Sequence, residues 1–187
     1  MGIQSKHTDI LNSGGIGVIP TDTIYGLVGQ ALNPDTVEQL YKVRQRKPDK
    51  PFIILISQLK DLELFDIQPD EKTRAILGKV WPGKVSIVLP CRSDKFSYLH
   101  RGTNTLAFRL PDKKDLIEIL KTTEPLVAPS ANPEGLEPAH TIEEAKKYFG
   151  EEVDFYVDGG RLDSPPSTLI KIVDGEIEVL REGAVKL

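Results

Sequence analysis

The sequence predicts one α/β domain, residues 1–187, built on a mixed sheet. Three observations predict it. Short apolar runs of strand length recur along the chain, helix-period segments with capping residues separate several of them, and a late pair of strands turns on Asp-Gly. A chain of 187 residues is long enough to bury a substantial core.

The strands are expected at 16–20 ("IGVIP"), 52–57 ("FIILIS"), 85–90 ("VSIVLP"), 105–110 ("TLAFRL") and 125–130 ("PLVAPS"), each apolar enough to be buried on both faces. Asn33 and Pro34 form a cap and first turn for a helix whose apolar face carries Val37, Leu40 and Tyr41. Residues 69–80 begin acidic and end on Ile76, Leu77 and Val80, a second helix. Asp112 is read as the cap of "KKDLIEILK", and Thr141 with Glu144 as a capping box before Ala145, Tyr148 and Phe149. The segment "LIKIVDGEIEVL" reads as a hairpin centred on Asp174-Gly175. Strand order is not readable from this pattern.

Composition narrows the functional classes. Hydrophobic residues at 39% and charged residues at 28% exclude disordered and membrane chains. A net charge of -4 argues against a protein built to coat nucleic acid, while leaving room for a local basic patch. Cys91 is the single cysteine, so no internal disulfide forms; a core role and a cytoplasmic, reducing location are expected. His7, His100 and His140 lie far apart, so no metal-ligand spacing is present and no protein-held metal is expected. The start, "MGIQSKHTDILNSGG", has no apolar run of signal-peptide or anchor length.

The glycine-rich phosphate loops are absent. "GKVWPGK" has Walker A glycine spacing, but Val85 stands where Ser or Thr is required, and the stretch leads from a helix into a strand. "GIGVIP" precedes its strand and lacks a third glycine. Any anion must therefore be held by side chains, and these cluster at strand and helix ends. Between Lys42 and Lys50 lie five basic residues and one acidic residue. A helix C-terminus accounts for one or two such cations through its dipole; Arg44 and Arg46 also suit phosphate oxygens. Arg109 stands inside an apolar strand and must meet a carboxylate or an anionic ligand. Ser130 and Asn132, Ser167 and Thr168, and Arg181 flank other strands, where turn formation is the simpler explanation for each alone.

Taken in order, "PTDTIYGL", "RQRKPDKPF", "WPGKVSIVLP", "LAFRLP", "PLVAPSAN", "DGGR", "STLIKI" and "VLREGA" resemble the YrdC/YciO-like family, which includes threonylcarbamoyl-AMP synthases. The resemblance runs over nearly the whole chain and implies a twisted mixed sheet with flanking helices around a basic cavity, the chain ending where the catalytic domain of longer members does. It implies a nucleotidyltransferase that joins L-threonine, bicarbonate and ATP into threonylcarbamoyl-AMP, with Mg²⁺ on the nucleotide, for tRNA threonylcarbamoyladenosine modification by downstream proteins.

Carried onto this chain, the resemblance assigns Thr23 to threonine, with Thr21 and Tyr25 shaping the same wall. The family's basic pair falls on Lys42/Arg44 or Arg44/Arg46, and Pro51-Phe52 sets the spacing in favour of Arg44 and Arg46. Lys50, Thr105, Asn132, Thr141 and Arg181 take nucleotide positions. Arg109, Ser130 and Ser167 take threonine positions, and Arg44, Arg46, Ser130 and Asn132 are the expected catalytic set. The chain departs from the family pattern at Arg44 (usually Lys), Lys50 (usually Asn), Leu55 (His in many synthases), "NPEG" after Ala131, and Pro166 (often Glu). The same family context leaves two alternatives: a YciO-like paralogue acting on a related carbamoyl adenylate or another amine, and a module gripping tRNA or double-stranded RNA. The aromatic content of 6% gives little stacking surface for the second.

Overall fold

The strand Gly17–Pro20 (β1) is buried along its length and turns back at once into Tyr25–Gln30 (β2), which pairs with it antiparallel. This computed structural model describes residues 5–47 and 49–187; the sequence readings that involve Met1 to Gln4 and Pro48 lie outside the described residues. The hydroxyl-rich stretch Thr21 to Ile24 is thus a hairpin turn, closed by Thr21 N–H donating to the Ile24 carbonyl at 3.2 Å. The remaining strands are Ile53–Leu55 (β3), Val85–Pro90 (β4), Thr105–Arg109 (β5), Leu126–Val127 (β6), Phe155–Tyr156 (β7), Thr168–Val173 (β8) and Glu176–Arg181 (β9).

Together they form one sheet in the order β7-β1-β2-β6-β3-β5-β4-β8-β9. Its β1–β7, β3–β5 and β4–β8 pairs are parallel and the others antiparallel, so the sheet is mixed as expected. The β8–β9 hairpin turns on Asp174 and Gly175, at φ 53 and 84, the left-handed pair that a two-residue turn demands.

Among the described residues six α-helices flank the sheet: Ser5–Asn12 (α1), Pro34–Val43 (α2), Glu71–Val80 (α3), Ser97–His100 (α4), Lys114–Thr123 (α5) and Ile142–Phe149 (α6). Asn33 caps α2 by accepting from Asp35 N–H at 3.1 Å and Thr36 N–H at 3.3 Å. Thr141 caps α6 by accepting from Glu144 N–H at 3.3 Å, whereas the Glu144 carboxylate reaches past Thr141 to accept from His140 N–H at 2.7 Å. The cap of α5 is Lys113 rather than Asp112, one residue later than its sequence suggested, and no side-chain cap bond forms there.

Alternation along each strand separates two cores. The larger takes Val18, Leu27, Ile54, Ile87, Phe108, Val127 and Ile170 from the strands and packs them against α2, α3 and α6. The smaller takes Ile19, Val28, Leu55 and Leu126 and packs them against α1 and α5. Burying such a side chain contributes roughly 1.5–3 kcal/mol, so the two faces fix the register of the sheet. The smaller core covers only part of its face, and the uncovered part becomes the cavity. Among the described residues no helix is long and apolar enough to cross a membrane.

Candidate active site

Beside the smaller core, the sheet curves around a cavity of about 300 Å³. Its wall draws on β2, β3, β5, β8 and β9 and on the segments that follow β1, α2 and β6. Thr21, Thr23, Tyr25 and Gly26 come from the β1–β2 hairpin, and Arg44 and Arg46 follow α2. Ala107 and Arg109 lie on β5, Ser130 follows β6, and Ser167, Leu169 and Arg181 come from β8, β9 and the approach to them. Four arginines line this wall and no aspartate or glutamate does.

Three of them, Arg44, Arg46 and Arg181, donate their hydrogen bonds to neutral groups. Arg44 donates from Nε to the Ser130 carbonyl at 3.0 Å and from Nη2 to Ser130 Oγ at 2.8 Å and Asn132 Oδ1 at 3.2 Å; its Nη1 is buried without a partner. Burial, reinforced by repulsion from Arg46, lowers the Arg44 pKa to about 10, still high enough to keep it charged at neutral pH. Arg46 donates to the carbonyls of Lys50 at 2.9 Å and Pro51 at 3.3 Å, and its guanidinium lies 5.3 Å over the Phe52 ring. Phe52 in turn stacks on Tyr41 at 4.1 Å, which stiffens the turn that aims Arg46. Arg181 donates to the Ser167 carbonyl at 2.8 Å. Burial first, and then the charge of Arg46, pushes the Arg181 pKa down. The charge of Arg46 thus acts against both Arg44 and Arg181, while Glu134 opposes it at Arg44 and Glu134 and Asp49 offset the burial of Arg46 from positions off the wall.

The position of Arg181 depends on a bulge. Leu169 pairs with Arg181 and Ile170 with Val179, which leaves Leu180 as the extra residue. In an unbroken ladder Arg181 would oppose Thr168 and face away from the cavity; the bulge turns it inward.

Arg109 occupies the opposite end. Its Nη1 donates to Thr23 Oγ1 at 3.2 Å, its Nη2 lies 3.1 Å from Asp22 Oδ1, and its Nε is buried without a partner. The Asp22 contact is an ion pair without hydrogen-bond alignment, since neither Asp22 oxygen has a hydrogen-bond partner. It nonetheless supplies the internal carboxylate that a buried strand arginine requires. Burial lowers the Arg109 pKa, Asp22 opposes that shift, and the charge of Arg181, which also reaches Arg109, adds to it. Beside it, Ser86 and Ser167 share a hydrogen bond of 2.8 Å in full burial.

Hydroxyl protons can be traced from these contacts. Thr21 Oγ1 donates to the Ile24 carbonyl at 2.7 Å, so in its 3.2 Å contact with Thr23 it accepts. Thr23 has then used its proton and offers the cavity an acceptor. Ser130 Oγ accepts from Arg44, which leaves its proton free to donate.

Seven of the residues singled out from sequence meet on this wall: Thr23, Arg44, Arg46, Arg109, Ser130, Ser167 and Arg181. Asn132 lies directly behind it, buried, donating to the carbonyls of Pro133 at 2.9 Å and Leu136 at 2.7 Å while orienting Arg44. Three others stand off the wall. Lys50 is exposed and pairs with Glu134 at 2.7 Å, Thr105 bonds Thr103 at 3.2 Å near the start of β5, and Thr141 is occupied as the α6 cap. Leu55 is fully buried in the smaller core.

Sequence reading passed over Glu134, whose carboxylate also accepts from Lys47 N–H at 2.7 Å and so ties the basic turn to the loop after Asn132. It also passed over Ser86, hidden within an apolar strand, and Lys113, which looks like a solvated first-turn lysine. The partner of Asp22 had no local signal.

Comparisons with known proteins give the family and the fold. The Sua5/YciO/YrdC family model, described as telomere recombination, matches residues 9–183. The threonylcarbamoyl-AMP synthase of Bacillus subtilis (strain 168) is 30% identical over 179 residues, covering 94% of this chain and 52% of that protein. That of Marinobacter nauticus is 31% identical over 168 residues, 88% of each chain. The structure of P. abyssi Sua5 complexed with L-threonine superposes with a TM-score of 0.87 at 27% identity, over 95% of this chain and 53% of that one. The chain thus spans about half the length of the B. subtilis and P. abyssi proteins. The family match covers almost all of the sequence and the fold agrees with it: this chain belongs to the Sua5/YciO/YrdC family.

Proposed function

We propose that the protein is a threonylcarbamoyl-AMP synthase, forming threonylcarbamoyl-AMP, pyrophosphate and water from L-threonine, bicarbonate and ATP. One observation carries the reading: Arg44, Arg46 and Arg181 converge on a cavity wall that no carboxylate lines among the described residues, and the charge of Arg46 repels both of the others. A polyphosphate relieves that repulsion. Relatives with this activity in their names, and a related structure holding L-threonine, support the same choice.

The chemistry asks for alignment rather than a protein nucleophile. The threonine amine and bicarbonate condense to a carbamate with loss of water. A carbamate oxygen then attacks the α-phosphorus, and the bond from that phosphorus to the bridging oxygen breaks as pyrophosphate leaves. Negative charge builds on the leaving phosphates, where prepositioned guanidiniums stabilise it without reorganising. At the other end, the unpartnered Arg109 Nε suits the substrate carboxylate, and the Thr23 oxygen suits an amine N–H. Ser130 donates its free proton between the two ends, and Asn132 holds Arg44 in line.

Magnesium enters with the nucleotide. Among the described residues no three His, Cys, Asp or Glu side chains converge as a metal site, so phosphate oxygens and water would ligate it. When bound it neutralises charge on the departing pyrophosphate. Delivery of the adenylate to tRNA-modifying proteins follows from the reactivity of the product and belongs to the same proposal. Incubation of purified protein with ATP, bicarbonate and labelled threonine should release pyrophosphate only when all three are present. Release that ignores threonine, or no release by folded protein, refutes it.

A further inference from the structure

Lys113 stands outside the cavity wall, yet its ammonium reaches the turn that carries Thr21, Asp22 and Thr23. The residue precedes α5 in extended backbone, φ -149 and ψ 111, and its side chain leaves the helix instead of capping it. Nζ donates to the Pro20 carbonyl at 2.9 Å and to the Thr21 carbonyl at 3.4 Å. Those two carbonyls immediately precede Asp22 in the chain. The ammonium is half-buried, and its burial lowers its pKa, against which the nearby charges of Asp115 and Asp22 act. Leaving water is unfavourable for an ammonium unless it gains acceptors, and the two carbonyls are the acceptors it gains.

The internal bonds of the turn do not explain its placement. Thr21 N–H and Thr21 Oγ1 both bond the Ile24 carbonyl, which closes the hairpin, and Ala131 N–H donates to the Tyr25 carbonyl at 2.9 Å, which ties its β2 side to the segment after β6; none of these bonds reaches the segment that leaves β5. The Lys113 bonds tie it to the segment leaving β5, the strand that ends in Arg109. With that tie in place Asp22 sits 3.1 Å from Arg109 Nη2 and Thr23 Oγ1 sits 3.2 Å from Nη1. The other three arginines have independent anchors: Arg44 on Ser130 and Asn132, Arg46 on the carbonyls of Lys50 and Pro51, and Arg181 on the carbonyl of Ser167.

We propose that Lys113 is a positioning residue for one end of the cavity: by holding the Pro20 and Thr21 carbonyls it sets Asp22 and Thr23 against Arg109, and so governs use of the amino-acid substrate but not of the nucleotide. The inference rests on the reading that this end takes an amino acid. It adds a residue whose hydrogen bonds to that end go to backbone carbonyls.

The test uses the Lys113→Met, Lys113→Gln and Lys113→Arg variants of the 187-residue chain with two readouts. In steady-state pyrophosphate release, Lys113→Met raises the KM for L-threonine about tenfold, the scale of a lost charged hydrogen bond, and leaves the KM for ATP within about twofold. Lys113→Gln, which keeps an N–H donor, gives a smaller shift of the same kind, and Lys113→Arg, able to reach both carbonyls, restores most of the wild-type value. Independently of activity, amide exchange of a peptide spanning residues 21–24 accelerates about tenfold in Lys113→Met while residues 44–52 are unaffected. Equal rises in both KM values, or none, overturn the assignment to one end. Unchanged exchange at 21–24 in the Met and Gln variants overturns the clamp whatever the activity. A wild-type protein without threonine-dependent release refutes the functional reading alone, because the exchange measurement still decides the clamp; if the Met variant does not fold, Lys113→Gln decides both.

Discussion

Replacing Asp22 by Asn removes the only carboxylate that Arg109 meets, and the structure sets the size of the effect. Both side chains are nearly inaccessible, at 3% and 6% exposure, so water cannot take over the role of the carboxylate. Removing one partner of a buried ion pair costs about 3–5 kcal/mol, mostly from the charge left behind. The low end applies, because the 3.1 Å contact is not an aligned hydrogen bond and Arg109 keeps its bond to Thr23. For a chain of this size about 3 kcal/mol lowers Tm by about 6–12 °C. Urea melts followed by circular dichroism measure it, and a shifted midpoint at constant slope identifies a native-state loss. The double variant Asp22→Asn/Arg109→Met removes the stranded charge and should regain more than half of the loss. A single variant that melts with wild type, or a double variant no better than the single, refutes the claim that Arg109 needs Asp22.

Other consequences follow from individual contacts. Thr23→Val deletes the acceptor oxygen and should raise the KM for threonine about tenfold with little change for ATP; steady-state kinetics in each substrate separate the two. Arg46→Ala should weaken ATP binding about 10–100-fold by calorimetry, and the loss should shrink as salt rises. Gly183→Ala should lower the urea midpoint and distort Ser167, since an added Cβ would lie 2.6 Å from Ser167 C and Thr168 N and closer still to the Pro166 carbonyl. Glu134 is held at a pKa of about 2, below its usual 4.5, first by the Lys50 hydrogen bond and then by Lys47 N–H. A depressed carboxylate pKa contributes stability that is complete above 4.5 and lost as pH falls toward 2. The midpoint gap between wild type and Glu134→Gln should therefore be constant from neutrality to about pH 5 and closed near pH 2; a gap independent of pH contradicts the clip.

The strands that face two cores were legible because burial on both sides forces continuous apolar runs, as in "VSIVLP", recovered from Val85 to Pro90. Asp174-Gly175 was legible because few other dipeptides adopt two positive φ values in sequence. The strand Tyr25–Gln30 was not, since Gly26 and Gly29 dilute its pattern, and Phe155–Tyr156 is two residues long and owes its pairing to β1. At the site, charge in an apolar strand announced Arg109, and a run of cations announced Arg44 and Arg46. Pairings across the sheet left no local trace. Asp22 with Arg109, Lys113 with Pro20 and Glu134 with Lys50 join residues more than eighty positions apart in sequence, and only the closed fold brings them within reach.

The distribution of charge along the cavity explains why one wall can treat two such different ligands differently. At the Arg109 end the protein supplies its own carboxylate, so on the proposed function a zwitterionic amino acid would be recognised by the geometry of Thr23, Ser167 and one free Nε rather than by net attraction. At the Arg44, Arg46 and Arg181 end no carboxylate lines the wall among the described residues, and the charge of Arg46 acts against both Arg44 and Arg181, opposed at Arg44 by Glu134 behind the wall. A polyanion entering there gains Coulomb attraction and also removes a repulsion the empty protein carries. Affinity should thus be concentrated on the nucleotide, with strong salt dependence, and selectivity on the amine, with little. Moving a carboxylate to the basic end, as in Ser130→Asp, should reverse that order by pairing Arg44 internally: ATP binding falls steeply and loses most of its salt dependence in calorimetric titrations. If Ser130→Asp binds ATP with wild-type affinity and salt slope, the uncompensated arginines are not what holds the phosphates.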